Sequence, residues 1–182
     1  LPRHFFFDTA LISHAYEDKA FPIGEGQTIS QPYTVAFQSS LLEVIPGDKI
    51  LEIGTGSGYQ ASILHLLGAE VISIEYQKKL FEHTSRFLQR LGIQLQLFYG
   101  DGTGGVPAHA PYDKIIVTAG APVVPEALIQ QLKIGGILVI PIGDRSKQAM
   151  VKITKKSATE IQREEFDGFA FVPLLGKEGW NH

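Results

Sequence analysis

The run Glu52-Ile53-Gly54-Thr55-Gly56-Ser57-Gly58-Tyr59 stands between a short β-rich stretch at 49–53 and an apolar-periodic stretch at 60–67. Glycine is needed where a loop takes positive φ or where a ligand must approach the backbone closely. A glycine-rich turn from strand to helix constrains the fold strongly: it belongs to a βα unit, with the ligand outside the carboxyl end of the strand. The rest of the chain repeats that rhythm. Strands are predicted at 49–53, 70–75, 94–99, 114–118 and 136–142, with helices at 60–67 and 78–91 and another starting near Pro125. Gly68 and Gly92 follow two of these helices as C′ residues. Strands joined through helices pair in parallel by right-handed crossovers, and runs such as Ile115-Ile116-Val117 are apolar on both faces, as buried parallel strands are. After Gly143 two strands at 149–154 and 164–172 follow with no helix between them, which predicts an antiparallel hairpin. The expected fold class is therefore α/β, a doubly wound, mostly parallel sheet ending in that hairpin. Before the first strand, residues 1–26 read as an irregular aromatic lead-in, and Ser30 before Gln31-Pro32 reads as the N-cap of a helix over 35–44 that Pro46-Gly47-Asp48 ends. The whole 1–182 is expected to be one domain, with 1–46 as lead-in and helix and 47–182 as core and hairpin.

The loop's spacing narrows its ligand. A dinucleotide fingerprint would need glycine at Tyr59, a P-loop would need a Gly-Lys-Ser/Thr ending, and a hydrolase elbow would need glycines two residues either side of Ser57. Three glycines at alternate positions, preceded by an acidic residue (Glu52) two before the first, fit S-adenosylmethionine instead. A tight turn without a ligand is the bland alternative. Glu75 ends the second strand, 17 residues after Gly58, where a carboxylate can accept from both ribose hydroxyls; it would serve a nicotinamide cofactor equally well. Asp101, between Gly100 and Gly102, can accept from an adenine amine, and an Asp-Gly turn is its plain alternative. Together the three elements describe one extended cofactor pocket in the topology of Rossmann-like methyltransferases.

Composition removes other classes. Hydrophobic residues at 44% and charged residues at 19% are globular values, and a net charge of −3 gives no general reason to bind nucleic acid. The chain has no cysteine, and its six histidines form no ligand-spaced pair, so no metal site is expected. No apolar run approaches the roughly 18–20 residues that span a bilayer. A cytoplasmic setting is the default expectation; the sequence begins at Leu1 rather than Met, which leaves an upstream piece open. Lys155-Lys156, the densest basic spot, reads as solvated at a hairpin turn.

Several segments resemble the protein-L-isoaspartate methyltransferase family along nearly the whole chain: Pro22-Ile23-Gly24-Glu25-Gly26-Gln27-Thr28-Ile29-Ser30-Gln31-Pro32, the loop 51–59, Gly100-Asp101-Gly102, Ala110-Pro111-Tyr112-Asp113, Ala121-Pro122, Gly135-Gly136 and Phe171-Val172-Pro173-Leu174. The segment Gln27-Thr28-Ile29-Ser30-Gln31-Pro32 is the most specific to the family. The resemblance implies methyl transfer from S-adenosylmethionine to the free α-carboxylate of L-isoaspartyl residues in damaged proteins and peptides. It implies Ser30 as the active-site serine, with Thr28 a weaker candidate for the same work, and Gln27 and Ile29 beside cofactor and acceptor. Glu52, Gly54, Thr55, Gly56, Ser57, Gly58, Glu75, Tyr76, Asp101 and Gly102 are then the expected cofactor contacts, and residues 174–180 are expected near the cofactor. The family usually carries a further N-terminal helical segment before the stretch at Pro2-Arg3-His4-Phe5, which this sequence lacks. A methyltransferase with another acceptor, a cofactor-binding protein without turnover, and a dehydrogenase remain as alternatives, the last disfavoured by Tyr59. The sequence leaves the oligomeric state open.

Overall fold

The computed structural model describes residues 1–180. A two-stranded antiparallel ribbon, β1 (Phe21–Gly24) and β2 (Gln27–Ile29), leads into α1 (Pro32–Leu42). The core then runs β3 (Lys49–Ile53), α2 (Tyr59–Leu66), β4 (Glu70–Glu75), α3 (Lys78–Arg90), β5 (Gln96–Tyr99), β6 (Tyr112–Val117), α4 (Glu126–Gln130), β7 (Leu132–Gly143), β8 (Gln148–Lys155) and β9 (Ile161–Phe169). These core strands form one seven-stranded sheet in the order β5-β4-β3-β6-β7-β8-β9, parallel from β5 through β7 and antiparallel in β8 and β9. The chain leaves β3 to one side through β4 and β5, then returns to its other side with β6. Adjacent crossovers diverge at such a switch point and open a crevice beyond the strand ends. β5 and β6 are joined by short 3-10 turns at Gly102–Gly104 and Pro107–His109 rather than by an α-helix.

Alternation along the strands builds a core on each side of the sheet. Leu51 and Ile53 join Ile72, Ile74, Ile115 and Val117 in one buried cluster that extends to Leu128 of α4 and to Leu174. Ile50 instead joins Val71, Ile116 and Val139 in a second cluster closed by Leu42, Ala61 and Leu64 from α1 and α2. Gly68 and Gly92 take φ of 92° and 72° directly after α2 and α3, as C′ residues do.

Four expectations need correction. The lead-in is more regular than its sequence reads, with 3-10 turns at Arg3–Phe6 and Thr9–His14 before the β1–β2 ribbon. Ser30 does not cap α1: the N-cap is Gln31, whose side chain makes no capping bond. Pro32 has no N–H, so the first free donor of the helix is Tyr33 N, and Asp18 Oδ1 accepts it at 2.8 Å from the lead-in. The helix ends at Leu42, with Glu43 in the left-handed region at φ 52°, before the Pro46-Gly47 turn is reached. Finally, Lys155 is not simply solvated; its Nζ donates to the carbonyls of Ile129 (2.8 Å) and Leu132 (2.9 Å) and closes the carboxyl end of α4. Among the described residues no helix is long and apolar enough to cross a membrane.

Candidate active site

β3, β4 and β6 end together, and a cleft opens beyond them. Gly54 and Gly56 from the loop after β3, Glu75 and Tyr76 from the end of β4, Gly102 after β5, and Gln27 and Thr28 from β2 all line it. Seven of the residues singled out from sequence therefore meet in one place. The glycines are there for space as much as for dihedral freedom. Gly54 sits at φ 97°, and a Cβ on it would lie 2.6 Å from Thr118 Oγ1; a Cβ on Gly102 would lie 2.5 Å from Ile53 Cγ2.

Glu75 is held on both oxygens by main chain: Gly56 N donates to Oε2 and Gln77 N to Oε1, each at 2.8 Å. Although only 5% exposed, it faces the cleft, and each oxygen keeps a lone pair for a further donor. That suits a vicinal diol such as a ribose. The fixed carboxylate and a cradle that any side chain at Gly54 would fill are the features by which these residues fit S-adenosylmethionine.

A second cavity continues the first. Thr28, Gly54, Gly56 and Thr118 line both, and Ile29, Ser30, Thr55 and Ser57 line the second alone of the two. Ser30 also borders a smaller opening with Gln31, Thr34 and Phe171, again shared with Thr28 and Thr118. Thr28 and Thr118 are thus common to all three spaces, at the junction between the cofactor cleft and the Ser30 side. Thr118 Oγ1 donates to Gly54 O at 2.7 Å, which fixes the loop carbonyl at that junction.

Three predicted contacts line none of these spaces. Glu52 is fully buried beneath the loop, where Ser73 Oγ donates to its Oε2 at 2.5 Å and Thr55 Oγ1 lies 2.6 Å from Ser73 Oγ. Burial pushes its carboxyl up to about 8; the Ser73 hydrogen bond opposes this and the charge of Glu75 adds to it. It supports the loop as a largely protonated group rather than touching a ligand. Gly58, at φ 82°, is the N-cap of α2, and its missing Cβ makes room for Thr84 and Leu88. Asp101 turns its Oδ1 to Thr103 N (2.9 Å) and its Oδ2 to Lys177 N (2.8 Å). Burial would raise the Asp101 carboxyl, but these donors hold it below its usual value.

The Lys177 contact belongs to a strap over the cleft, residues 170–180; resemblance placed only 174–180 of it near the cofactor, and 170–172 were expected in the last strand, which ends at Phe169. Gly120 N donates to Val172 O and Leu174 N to Gly120 O, both at 2.8 Å, while Trp180 Nε1 donates to Gly120 O at 3.0 Å. The strap thereby bridges the loop after β6 and the loop after β5, and 172–175 form one wall of the cofactor cleft. Thr118 and Ala119, which sequence reasoning missed, carried one usable signal: they follow the apolar run of β6 at a carboxyl strand end. No cluster of three or more metal-ligating side chains occurs among the described residues.

The profile of the protein-L-isoaspartate(D-aspartate) O-methyltransferase (PCMT) family matches residues 1–179. A protein-L-isoaspartate O-methyltransferase of Cytophaga hutchinsonii is 59% identical over 181 residues, covering 100% of this chain and 82% of the relative. One from Chlorobaculum tepidum is 52% identical over 179 residues, 98% of this chain and 84% of that relative. Among solved structures, a protein-L-isoaspartate O-methyltransferase superposes with a TM-score of 0.85 at 33% identity, over 98% of this chain and 59% of that longer one. A Plasmodium falciparum protein-L-isoaspartate O-methyltransferase in complex with S-adenosyl-L-homocysteine superposes with a TM-score of 0.78 at 27% identity, over 95% of this chain and 85% of that one.

Proposed function

Because the chain belongs to the protein-L-isoaspartate(D-aspartate) O-methyltransferase family, we propose that its two joined cavities hold S-adenosylmethionine on one side and an L-isoaspartyl α-carboxylate on the other, the latter placed by Ser30 with Thr28. The activity is S-adenosylmethionine-dependent methylation in protein repair, and the partners are proteins and peptides carrying isoaspartyl residues. The observation that carries the assignment of sides is the junction at Thr28 and Thr118. Glu75 lines the first space and not the others, Gly54 and Gly56 line the first and the second, and Ser30 lines the two spaces adjoining the first.

When bound, S-adenosylmethionine supplies a methyl group on a positively charged sulfur, which an oxygen nucleophile can take directly. The acceptor is a carboxylate and is already ionised at neutral pH, so the chain needs no general base. Its own contribution is placement. Glu75 and the main chain around Gly54 and Gly56 fix one reactant, and the Ser30 and Thr28 hydroxyls can donate to the other. Orientation of this kind can lower the barrier by as much as about 7–11 kcal/mol. Thr118 Oγ1 holds the Gly54 carbonyl in place where the two sides meet.

The test is methyl transfer from labelled S-adenosylmethionine to two matched peptides, one isoaspartyl and one aspartyl. Label on the isoaspartyl peptide alone, in base-labile form, is the expected result. Binding of S-adenosylhomocysteine with neither peptide labelled would remove the acceptor assignment.

A further inference from the structure

We propose that Arg3 is a positioning residue for methyl transfer, tying the Ser30 main chain to the residue that follows the glycine loop. The functional part of this inference rests on the acceptor reading of Ser30 above. Arg3 is only 2% exposed. Its Nε donates to Ala15 O at 2.9 Å and its Nη2 to Ser30 O at 2.7 Å. The guanidinium carbon lies 4.9 Å from the ring centre of Tyr59 and 5.3 Å from that of Phe7. Tyr59 is the first residue of α2, directly after Gly58, and Phe6 packs edge-on against its ring at 5.2 Å.

One planar group therefore touches the acceptor segment, the foot of the cofactor loop and the lead-in. As a device for stability alone it is a poor choice. It forms no ion pair with a carboxylate among the described residues, and burying an unpaired cation is costly. Its Nη1 is also buried without a hydrogen-bond partner, a further penalty that a smaller or apolar residue would avoid. Burial lowers the guanidinium's pKa, with Tyr59 and Asp18 acting the other way, yet an arginine stays charged in proteins. What the arrangement gives in return is geometry. A rigid fork holds two carbonyls while its face lies on an aromatic ring, so Ser30 is registered against the frame that carries the glycine loop.

Arg3→Lys keeps the charge and loses the fork. In this variant amide hydrogen exchange over residues 29–33 is expected to quicken, and kcat for the isoaspartyl peptide to fall about tenfold, in line with small misplacements of reactants. Affinity for S-adenosylhomocysteine should stay within about twofold, because Arg3 touches none of the residues that line the cofactor cleft. Combining Arg3→Lys with Ser30→Ala should lower kcat no further than the worse single change, since both act through one residue. Tyr59→Leu removes the stacking face, which also walls the cavity beside Ser30, and leaves the bonds to Ala15 O and Ser30 O in place; it should give a smaller loss with the same split between kcat and cofactor affinity. Parent-like exchange over 29–33 in Arg3→Lys would overturn the brace, as would a loss of cofactor affinity in step with kcat. Should Arg3→Lys not fold, parent-like kinetics in Tyr59→Leu would overturn it equally. Unchanged isoaspartyl methylation by Ser30→Ala alone would instead sink the acceptor reading, and the exchange data would still judge the brace.

Discussion

Glu52 and Glu75 end neighbouring strands on either side of one loop, and their surroundings separate them chemically. Glu75 is ringed by main-chain donors and faces the cleft, so its removal should be felt as lost affinity. Glu75→Ala is expected to weaken S-adenosylhomocysteine binding by about 2 kcal/mol, roughly thirtyfold in Kd by calorimetry, as charged hydrogen bonds usually cost. Glu52 holds a proton in the folded chain up to about pH 8, against a usual value of 4.5. Between those values the unfolded chain has released the proton and the folded one has not, so rising pH weakens the fold. Stability from this group is fully present below about pH 4.5 and is lost progressively up to about pH 8. Glu52→Gln has no proton to release. Urea denaturation should show the parent losing up to a few kcal/mol relative to this variant between about pH 5 and 8. Sequence alone placed both acids at strand ends, which is where they lie. It did not distinguish the one that faces the cleft from the one beneath the loop, because that depends on Ser73 and Thr55 closing over Glu52 in three dimensions.

At the scale of elements, local chemistry decided which parts of the fold were legible. The runs at 49–53 and 70–75 are dense in Ile, Leu and Val, which suits strands with a core on both faces, and glycine at 68 and 92 stops the two helices that precede it. The β1–β2 ribbon was not legible, because Pro22, Gly24 and Gly26 break any strand-like pattern and its three paired positions give little to read. The cap of α1 was misread for a different reason: a local motif at Ser30 competed with a distant carboxylate, and Asp18 won because Pro32 leaves the first free N–H at Tyr33. Asp18→Ala should therefore cost about 1 kcal/mol of stability in urea denaturation, the usual worth of an N-terminal cap, with Asp18→Asn retaining most of it. Ser30→Ala should leave stability nearly unchanged in the same measurement, since Ser30 caps nothing.

For the whole molecule, the doubly wound order and the terminal antiparallel pair could be read from alternation because parallel strands demand helical crossovers and a hairpin does not. The contacts that close the site could not be read in the same way: the strap joins residues 170–180 to Asp101 and Gly120, and no local pattern announces a pairing across that much chain. Ligand binding to the folded form alone should couple the site to the entire fold. S-adenosylhomocysteine at about 100 times its Kd is expected to add about 2.7 kcal/mol to unfolding stability, seen as a concentration-dependent rise in Tm; no shift would mean that the closed cleft takes no such ligand. The strap also carries the chain's one tryptophan, with its indole N–H bonded to the Gly120 carbonyl and its ring near the Arg145 guanidinium. The intrinsic fluorescence of this protein is therefore a local optical signal. Released from Gly120, the indole meets water and its emission moves to the red, so a red shift that precedes the loss of helical circular dichroism reads strap opening without any label.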